Sequence, residues 1–321
     1  MRTGAESGLG RVWRLLRSPY VLIPVAMLLF ALNYVFARLL RAEVTPVGIN
    51  FWRLVVALAL LLPLCGTPLW RARRVLLREW RLLGLLALFG VALFYTLMYL
   101  ALESTTAINA TTVHMSTPMV IVAISWLLHR DRITPRQGLG IGISLVGACL
   151  IITRGDPSRL LAMALNPGDV WAVLSIPTWA LYTVLLKRRP PDLPPMVLMA
   201  AISAIGLVML APFFLAETLA GEGMPLTWST VLMVAYVGIF VSVVALVLWT
   251  VAVPAVGPNK AGLFVHMNPM FTTILAILFL GEALHGYHVL AIALIVGGIW
   301  LASTARLPVP EPATESVTES S

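Results

Sequence analysis

Ten apolar stretches of about 20 residues follow one another along this chain, separated by short runs that contain charges, prolines and glycines. A helix of about 20 apolar residues crosses the roughly 30 Å of hydrocarbon in a bilayer. Only 11% of the residues are charged, whereas soluble proteins have about 25%. The sequence therefore predicts an all-α integral membrane protein with ten transmembrane helices, at about residues 19–38, 47–66, 82–101, 107–128, 136–153, 169–187, 196–216, 230–251, 260–280 and 286–304.

The positions of lysine and arginine indicate the orientation of these helices, because cytoplasmic loops are enriched in both residues. With ten spans, 16 of the 22 basic residues fall on the side of the two termini, 5 fall on the other side and Arg53 lies inside the second stretch. We therefore predict a multi-pass protein of the plasma (bacterial inner) membrane with both termini cytoplasmic. The net charge of +8 comes from short clusters between apolar stretches, which argues against a nucleic-acid partner.

A weak internal repeat divides the ten stretches into two sets of five. The segments VHMSTPM (113–119) and VHMNPM (265–270) each place a histidine and a proline inside an apolar stretch, and Pro118 aligns with Pro269 at an offset of 151. Five is an odd number, so the second set enters the membrane from the opposite face. Further pairs are Asp131 with Glu282 and Gly147 with Gly298 at the same offset, and ALNYVFAR (31–38) with ALYTVLLK (180–187) at an offset of 149.

Two inverted five-helix repeats are typical of secondary transporters, in which the substrate site lies near the bilayer midplane where the repeats meet. The predicted organisation is a basic cytoplasmic N-terminus (1–18), a first repeat (19–153), an external linker (154–168), a second repeat (169–304) and a disordered cytoplasmic tail (305–321).

From about residue 20 to 304 the chain resembles the drug/metabolite transporter superfamily, in particular its EamA-like ten-helix transporters. MNPMFTTILAILFLGEALHGYHVLAIALIVGGIWLA (267–302) is similar to the ninth and tenth helices of that family, and residues 115–152 are the counterpart in the first repeat. Asn33, Tyr34 and Arg38 match a pattern of the first helix, whereas its tryptophan and glycine are absent. The resemblance implies a small-molecule transporter. It leaves the substrate open, since the superfamily moves amino acids, drugs, nucleotide sugars and other metabolites.

Polar residues inside the apolar stretches are candidates for function, because a charged group at the bilayer centre costs about 2.5–3.5 kcal/mol on insertion scales. No aspartate or glutamate lies in the middle of a stretch, which argues against a proton-carrying buried carboxylate. His114 and His266 could exchange a proton or donate to a carboxylate substrate, or each could stay neutral and bond a neighbouring helix. Their unequal spacing from the prolines turns the rings about 100° apart, so at most one faces the pathway.

The remaining candidates lie beside these histidines or in the first, third, sixth and eighth stretches. Pro118 and Pro269 remove helical hydrogen bonds, which suits a gating kink in a rocking bundle or a purely structural bend. Thr117 and Asn268 beside them are candidate substrate contacts. The candidates also include an aromatic set, of which Trp179 and Tyr182 share one face of the sixth stretch and could form an apolar pocket with Asn33 as a polar group, although packing and interfacial roles stay open. Its members are Tyr34, Tyr95, Tyr99, Trp179, Tyr182 and Trp249.

Arg53 lies about six residues into the second stretch. A long basic side chain at this depth can extend to the membrane surface. This favours an outer anchor over a substrate contact.

The leading hypothesis is a secondary active transporter that exports a small metabolite, amino acid-like or drug-like, by alternating access. An uptake permease of the same fold is the nearest alternative. An integral membrane enzyme would need paired aspartates for Mg²⁺ or a His-Glu zinc helix, and the sequence has neither. A non-transporting subunit gives no reason for the matched polar positions. We expect a small-molecule substrate, contact with the lipid bilayer, no catalytic residue, metal or cofactor, and leave a homodimer open.

Overall fold

The computed structural model describes residues 18–129, 134–152, 155–156, 158, 166–221, 223–281 and 286–303. All regular secondary structure in these residues is helical, and each predicted apolar stretch corresponds to one helical segment. A short helix, Arg73–Arg78, lies between the second and third segments. The segments are α1 (Pro19–Leu39), α2 (Pro46–Arg71), α3 (Trp80–Ser104), α4 (Ala107–Leu128), α5 (Pro135–Ile152), α6 (Pro167–Leu186), α7 (Pro195–Leu219), α8 (Trp228–Val256), α9 (Pro258–Leu280) and α10 (Gly286–Ser303).

Eight of these segments, α1 to α4 and α6 to α9, are long and apolar enough to cross a membrane. The other two, α5 and α10, have 18 residues each and pack against one another. The predicted all-α membrane fold is confirmed, and the count of ten membrane crossings stays a prediction.

The helix starts follow from the local sequence. Proline is the first residue of six segments, where its missing N–H would have no helical partner and its fixed φ suits the helix. The side chain of Thr45 accepts a hydrogen bond from the Gly48 N–H at the start of α2, at 3.2 Å. Thr227 and Thr230 form a reciprocal capping box at the start of α8. Turn and capping residues thus define where the segments begin.

The helix contacts have a twofold pattern. In the first repeat α1 contacts α8 and α9, and in the second its counterpart α6 contacts α3 and α4. The helix α2 packs on α7, and α5 packs on α10. Exchanging each helix for its counterpart therefore reproduces the same contacts, which confirms the two-repeat architecture.

Two hydrogen bonds join α1 and α6, the first helices of the two repeats, to the same end of α3. Nη1 of Arg38, at the C-terminal end of α1, donates to the Leu102 carbonyl at 2.9 Å. Nδ2 of Asn166, just before α6, donates to the Ser104 carbonyl at 2.6 Å. Leu102 and Ser104 both lie in the last turn of α3. The C-terminal end of α1 and the N-terminal end of α6 therefore both lie at the end of α3. An inverted repeat requires this relation between the first helices of its two halves.

The third helix of each repeat contains a π-helical segment. These segments are Leu88–Leu93 in α3 and Val237–Ala245 in α8, and they begin 149 residues apart. That offset equals the one that aligns residues 31–38 with 180–187. Inserted π turns occur frequently at functional sites. We refer to the two segments as π1 and π2.

The fourth helix of each repeat is interrupted. A 3₁₀ turn at His114–Ser116 divides α4, and α9 consists of Pro258–Phe264 followed by Met267–Leu280. Pro118 and Pro269 follow these interruptions and lie in the first turn of the next part, where a missing N–H costs little. The breaks therefore precede the prolines.

Gly298 allows α10 to pack closely on α5. A methyl group in its place would overlap the Gly140 carbonyl and Ser144, where α10 meets α5. By contrast, a methyl group would meet no described atom within 4 Å at three other glycines of α5 and α10, namely Gly138, Gly142 and Gly297.

Several predictions about termini and loops fall outside the described residues, wholly or in large part. They concern the basic N-terminus (1–18), the linker (154–168), the tail (305–321) and the pair Asp131 and Glu282.

Candidate functional site

A cluster of aromatic side chains joins four helices around Trp179 of α6. The Trp179 ring centroid lies 4.6 Å from that of Phe94 in α3 and 5.6 Å from that of Phe30 in α1. It lies 5.3 Å from the Tyr182 ring and 5.5 Å from the Trp249 ring in α8. All five side chains are at most 5% exposed. The structure thus brings together the predicted Trp179, Tyr182 and Trp249.

Phe30 and Phe94 are not predicted from the sequence as members of the cluster, because a phenylalanine inside an apolar stretch does not stand out by its residue type. Their spacing does carry a signal, since Phe30 lies four residues before Tyr34 and therefore on the same helical face. Phe94 is adjacent to the predicted Tyr95.

A narrow cavity lies beside this aromatic cluster, between helices of both repeats. Its volume is about 20 Å³, which is room for about one water molecule. Small-molecule sites usually measure about 300–1,000 Å³. The described conformation is therefore closed around the cavity, and a substrate requires it to widen. The lining residues are Met27, Phe30, Tyr34, Phe94, His114, Trp179, Val265 and Asn268.

His114 and His266 have different surroundings. His114 lines the cavity, and its Nε2 lies 2.6 Å from Oγ of Ser175 in α6. The His266 ring does not line it; Nε2 lies 2.9 Å from the Met115 carbonyl and Nδ1 lies 3.1 Å from the Leu263 carbonyl. Both side chains are buried. The unequal spacing of the two histidines from their prolines agrees with this difference.

Thr117 and Asn268 also occupy buried positions near the interruptions. Asn268 lines the cavity, with Nδ2 3.5 Å from the Met27 carbonyl of α1, and its Oδ1 accepts from Thr272 at 3.3 Å. Oγ1 of Thr117 has no hydrogen-bond partner among the described residues. Only Asn268 of the two therefore reaches the cavity.

Several buried polar atoms near the aromatic cluster have no hydrogen-bond partner among the residues that the structure describes. The Tyr99 hydroxyl donates to Asn33 Oδ1 at 3.1 Å, which leaves Asn33 Nδ2 unpaired within the described part of the chain. The Tyr95 hydroxyl and the Trp249 Nε1 are unpaired there as well. An unpaired buried polar group costs about 1–3 kcal/mol and is uncommon in folded proteins. Asn33, Tyr95 and Trp249 therefore have unused hydrogen-bonding capacity.

The prediction that Arg53 anchors α2 at the outer surface is wrong, because its side chain is 0% exposed. Nε donates to Asn50 Oδ1 at 2.7 Å, Nη1 to Ser242 Oγ at 2.8 Å and Nη2 to the Val91 carbonyl at 3.1 Å. The guanidinium carbon lies 3.7 Å from the centroid of the Tyr95 ring. Arg53 therefore points into the bundle, where groups on α2, α3 and α8 take the place of water around the guanidinium.

Arg53 connects the two π segments, since Val91 lies in π1 and Ser242 lies in π2. Asn50 supports the same arrangement, because its Nδ2 donates to the Ala92 carbonyl of π1 at 3.0 Å. Asn50 precedes Arg53 by three residues, so both side chains lie on one face of α2. A polar pair on one face is the signal by which the sequence could have revealed this buried position.

Two five-helix repeats that enclose a polar and aromatic cavity define a membrane transporter fold. The chain belongs to the EamA-like transporter family, whose model matches residues 17–153 and again residues 166–304. This confirms the predicted resemblance and the predicted division into two repeats of one kind.

Individual relatives agree with this assignment. The chain is 30% identical over 293 residues to an uncharacterized transporter of Archaeoglobus fulgidus, which covers 89% of this chain and 98% of the relative. It is 26% identical to the uncharacterized transporter YyaM of Bacillus subtilis, over 70% of this chain and 73% of the relative. A solved crystal structure matches with a TM-score of 0.64 and 21% identity, covering 90% of this chain and 99% of that one. The last match shows the fold alone.

Proposed function

We propose that this transporter is a secondary active exporter of a small metabolite, amino acid-like or drug-like, that works by alternating access across the plasma membrane. The observation that supports it best is the closed cavity between the repeats, lined by α1, α3 and α4 from one and by α6 and α9 from the other. A cavity shared by two mobile halves can open to either side when the halves rock against each other.

The irregular helices provide places where such motion can occur. The interruptions in α4 and α9 lie next to the cavity, since His114 and Val265 belong to them and line it. Both π segments lie in helices that contact α1 or α6. Irregular backbone in a membrane protein is tolerated where it is buried in protein or lines a cavity. We therefore place the moving parts at α3, α4, α8 and α9.

The proposed orientation has both termini in the cytoplasm. It rests on the excess of basic residues on that side and on the head-to-tail relation of α1 and α6 described above. With this orientation the linker between the repeats faces outward.

The direction of transport is set by coupling and by gradients, and not by the fold. An uptake permease would use the same cavity. A membrane enzyme is disfavoured, because a single fixed reaction centre does not require irregular helices at matched positions of two repeats.

The test compares metabolites in cells that express the protein with those in cells that express a Trp179→Ala variant at the same level. An exporter lowers one solute inside the cell and raises it in the medium, and an uptake permease does the reverse. Candidates are then followed as labelled compounds in vesicles of known orientation. If no solute changes and no candidate moves, the proposed transport function is wrong.

A further inference from the structure

We propose that Arg53 and the Tyr95 hydroxyl bind the anionic group of the transported molecule, which makes the substrate a small organic anion with an apolar body. This inference rests on the proposed transport function and adds a substrate class to it. It is carried by a buried cation that has no acidic partner among the described residues, and by hydroxyl and N–H groups of the bundle that are unpaired within the same residues, of which the Tyr95 hydroxyl belongs to the ring beside Arg53.

The charge of Arg53 is the first step. Its three described hydrogen bonds go to neutral acceptors, on Asn50, Ser242 and Val91. Among the described residues no aspartate or glutamate is buried, so the guanidinium has no counter-charge in the bundle. Ionisable residues inside a membrane are expensive and are retained mainly for function. A ligand that supplies the missing negative charge would account for this arginine.

The unpaired polar atoms are the second step. Arginine has five N–H donors, of which the described contacts use three. Within the described part of the chain, the hydroxyl of Tyr95, directly under the guanidinium, is unpaired, and Asn33 Nδ2 and Trp249 Nε1 are unpaired donors. A site rich in donors suits a carboxylate, which only accepts hydrogen bonds. A cationic group would need an acidic partner, which the buried part of the described chain does not offer.

The third step connects this site to the cavity. Tyr95 follows Phe94 in α3, and their rings lie 5.0 Å apart. Phe94 lines the cavity and contacts Trp179. A molecule whose apolar body rests on Phe30, Phe94 and Trp179 can therefore direct its anionic group toward Arg53 once the cavity widens.

Binding at this site would also act on the conformation. A carboxylate on the two unused N–H groups would draw the guanidinium away from Ser242 of π2, which is its contact with the second repeat. Substrate binding therefore weakens a link between the two repeats, and release restores it.

The experiment uses the purified full-length protein and two matched pairs of probes, phenylacetate with phenylacetamide and indole-3-acetate with indole-3-acetamide. Each pair keeps the apolar body and differs in the charge. We expect the carboxylates to raise the thermal unfolding midpoint with saturation, and the amides to leave it unchanged. If no carboxylate raises the midpoint, or if the amides act equally, the inference is overturned.

Variants distinguish a ligand-binding role of Arg53 from a purely structural one. Arg53→Gln should abolish the carboxylate shift, whereas Arg38→Gln, at the end of α1, should preserve it. Tyr95→Phe keeps the ring under the guanidinium and removes an unpaired hydroxyl, so it should fold normally and bind about tenfold more weakly. If Arg53→Gln lowers the unfolding midpoint but binds normally, Arg53 is only a structural link. If Arg53→Gln does not fold, unchanged binding by Tyr95→Phe overturns the proposal.

The comparison of cellular metabolites distinguishes the two proposals. Export of a neutral or cationic solute, with no carboxylate shift, overturns the anion site and leaves the transport function standing. If no solute moves, the transport function itself is wrong.

Discussion

Nε2 of His266 lies 2.9 Å from the carbonyl oxygen of Met115, and this contact joins the interruption of α9 to the interruption of α4. The two residues are 151 positions apart, which is the offset that aligns Pro118 with Pro269. The contact therefore relates corresponding places in the two repeats. His266 connects the broken helices, whereas His114 faces the cavity.

We expect His266→Ala to destabilise the protein by about 1–3 kcal/mol, because it leaves the buried Met115 carbonyl without this partner. The measurement is thermal unfolding in detergent, together with transport. His114→Ala is the matched control; its partner Ser175 also donates to the Ala172 carbonyl at 2.6 Å, so stability should change less and substrate affinity more. Unchanged stability of His266→Ala, combined with a shifted pH profile of transport, would instead identify this ring as a proton carrier.

A second prediction concerns Gly90 in π1. A methyl group at this position would overlap the Tyr182 ring, so Gly90→Ala should destabilise by about 1–3 kcal/mol despite the better helix propensity of alanine. Gly84→Ala lies in the same helix, meets no described atom within 4 Å and should be neutral or stabilising by up to about 1 kcal/mol. Unfolding midpoints of both variants check this contrast, and equal midpoints would contradict the close packing of π1 on α6.

A third prediction separates the aromatic cluster from other tryptophans. Trp179→Ala removes contacts with four rings and should weaken substrate affinity as well as destabilise by about 3–5 kcal/mol. Trp228 is 76% exposed, so Trp228→Ala should change neither property appreciably. Affinity is measured in proteoliposomes with the exported solute. Unaltered affinity in Trp179→Ala would show that this cluster only packs the helices.

The helices could be predicted from the sequence, because twenty apolar residues are a strong signal and the prolines mark most starts. The π segments could not, since a π turn has no periodicity of its own and depends on contacts such as Gly90 with Tyr182. The predicted breaks at Pro118 and Pro269 were close in position, but the irregular backbone lies one turn earlier.

Residues that line the candidate cavity could be predicted where a polar or aromatic residue stands out in an apolar stretch. Tyr34, His114, Trp179 and Asn268 line the cavity. Arg53 was misplaced because depth from a helix end does not reveal whether neighbouring helices cover it. In the structure α2 is packed by α3, α7 and α8, and the side chain is enclosed.

The last prediction concerns the sides of the membrane. Asn166, at the start of α6, bonds the end of α3, whereas Arg188, just after α6, bonds the Leu128 carbonyl at the end of α4. The two ends of α6 therefore lie at opposite ends of the bundle, and the linker near Asp156 and the loop near Asp192 should face opposite sides.

Single cysteines at Asp156 and Asp192, both exposed, test this in a protein whose Cys65 and Cys149 are replaced by alanine. A membrane-impermeant maleimide added to intact cells should label position 156 only, and in inside-out vesicles position 192 only. The cysteine-free protein is the control for background labelling. Labelling of both positions from one face would exclude the inverted arrangement. A second repeat with the same orientation as the first would place both loops on one side of the membrane.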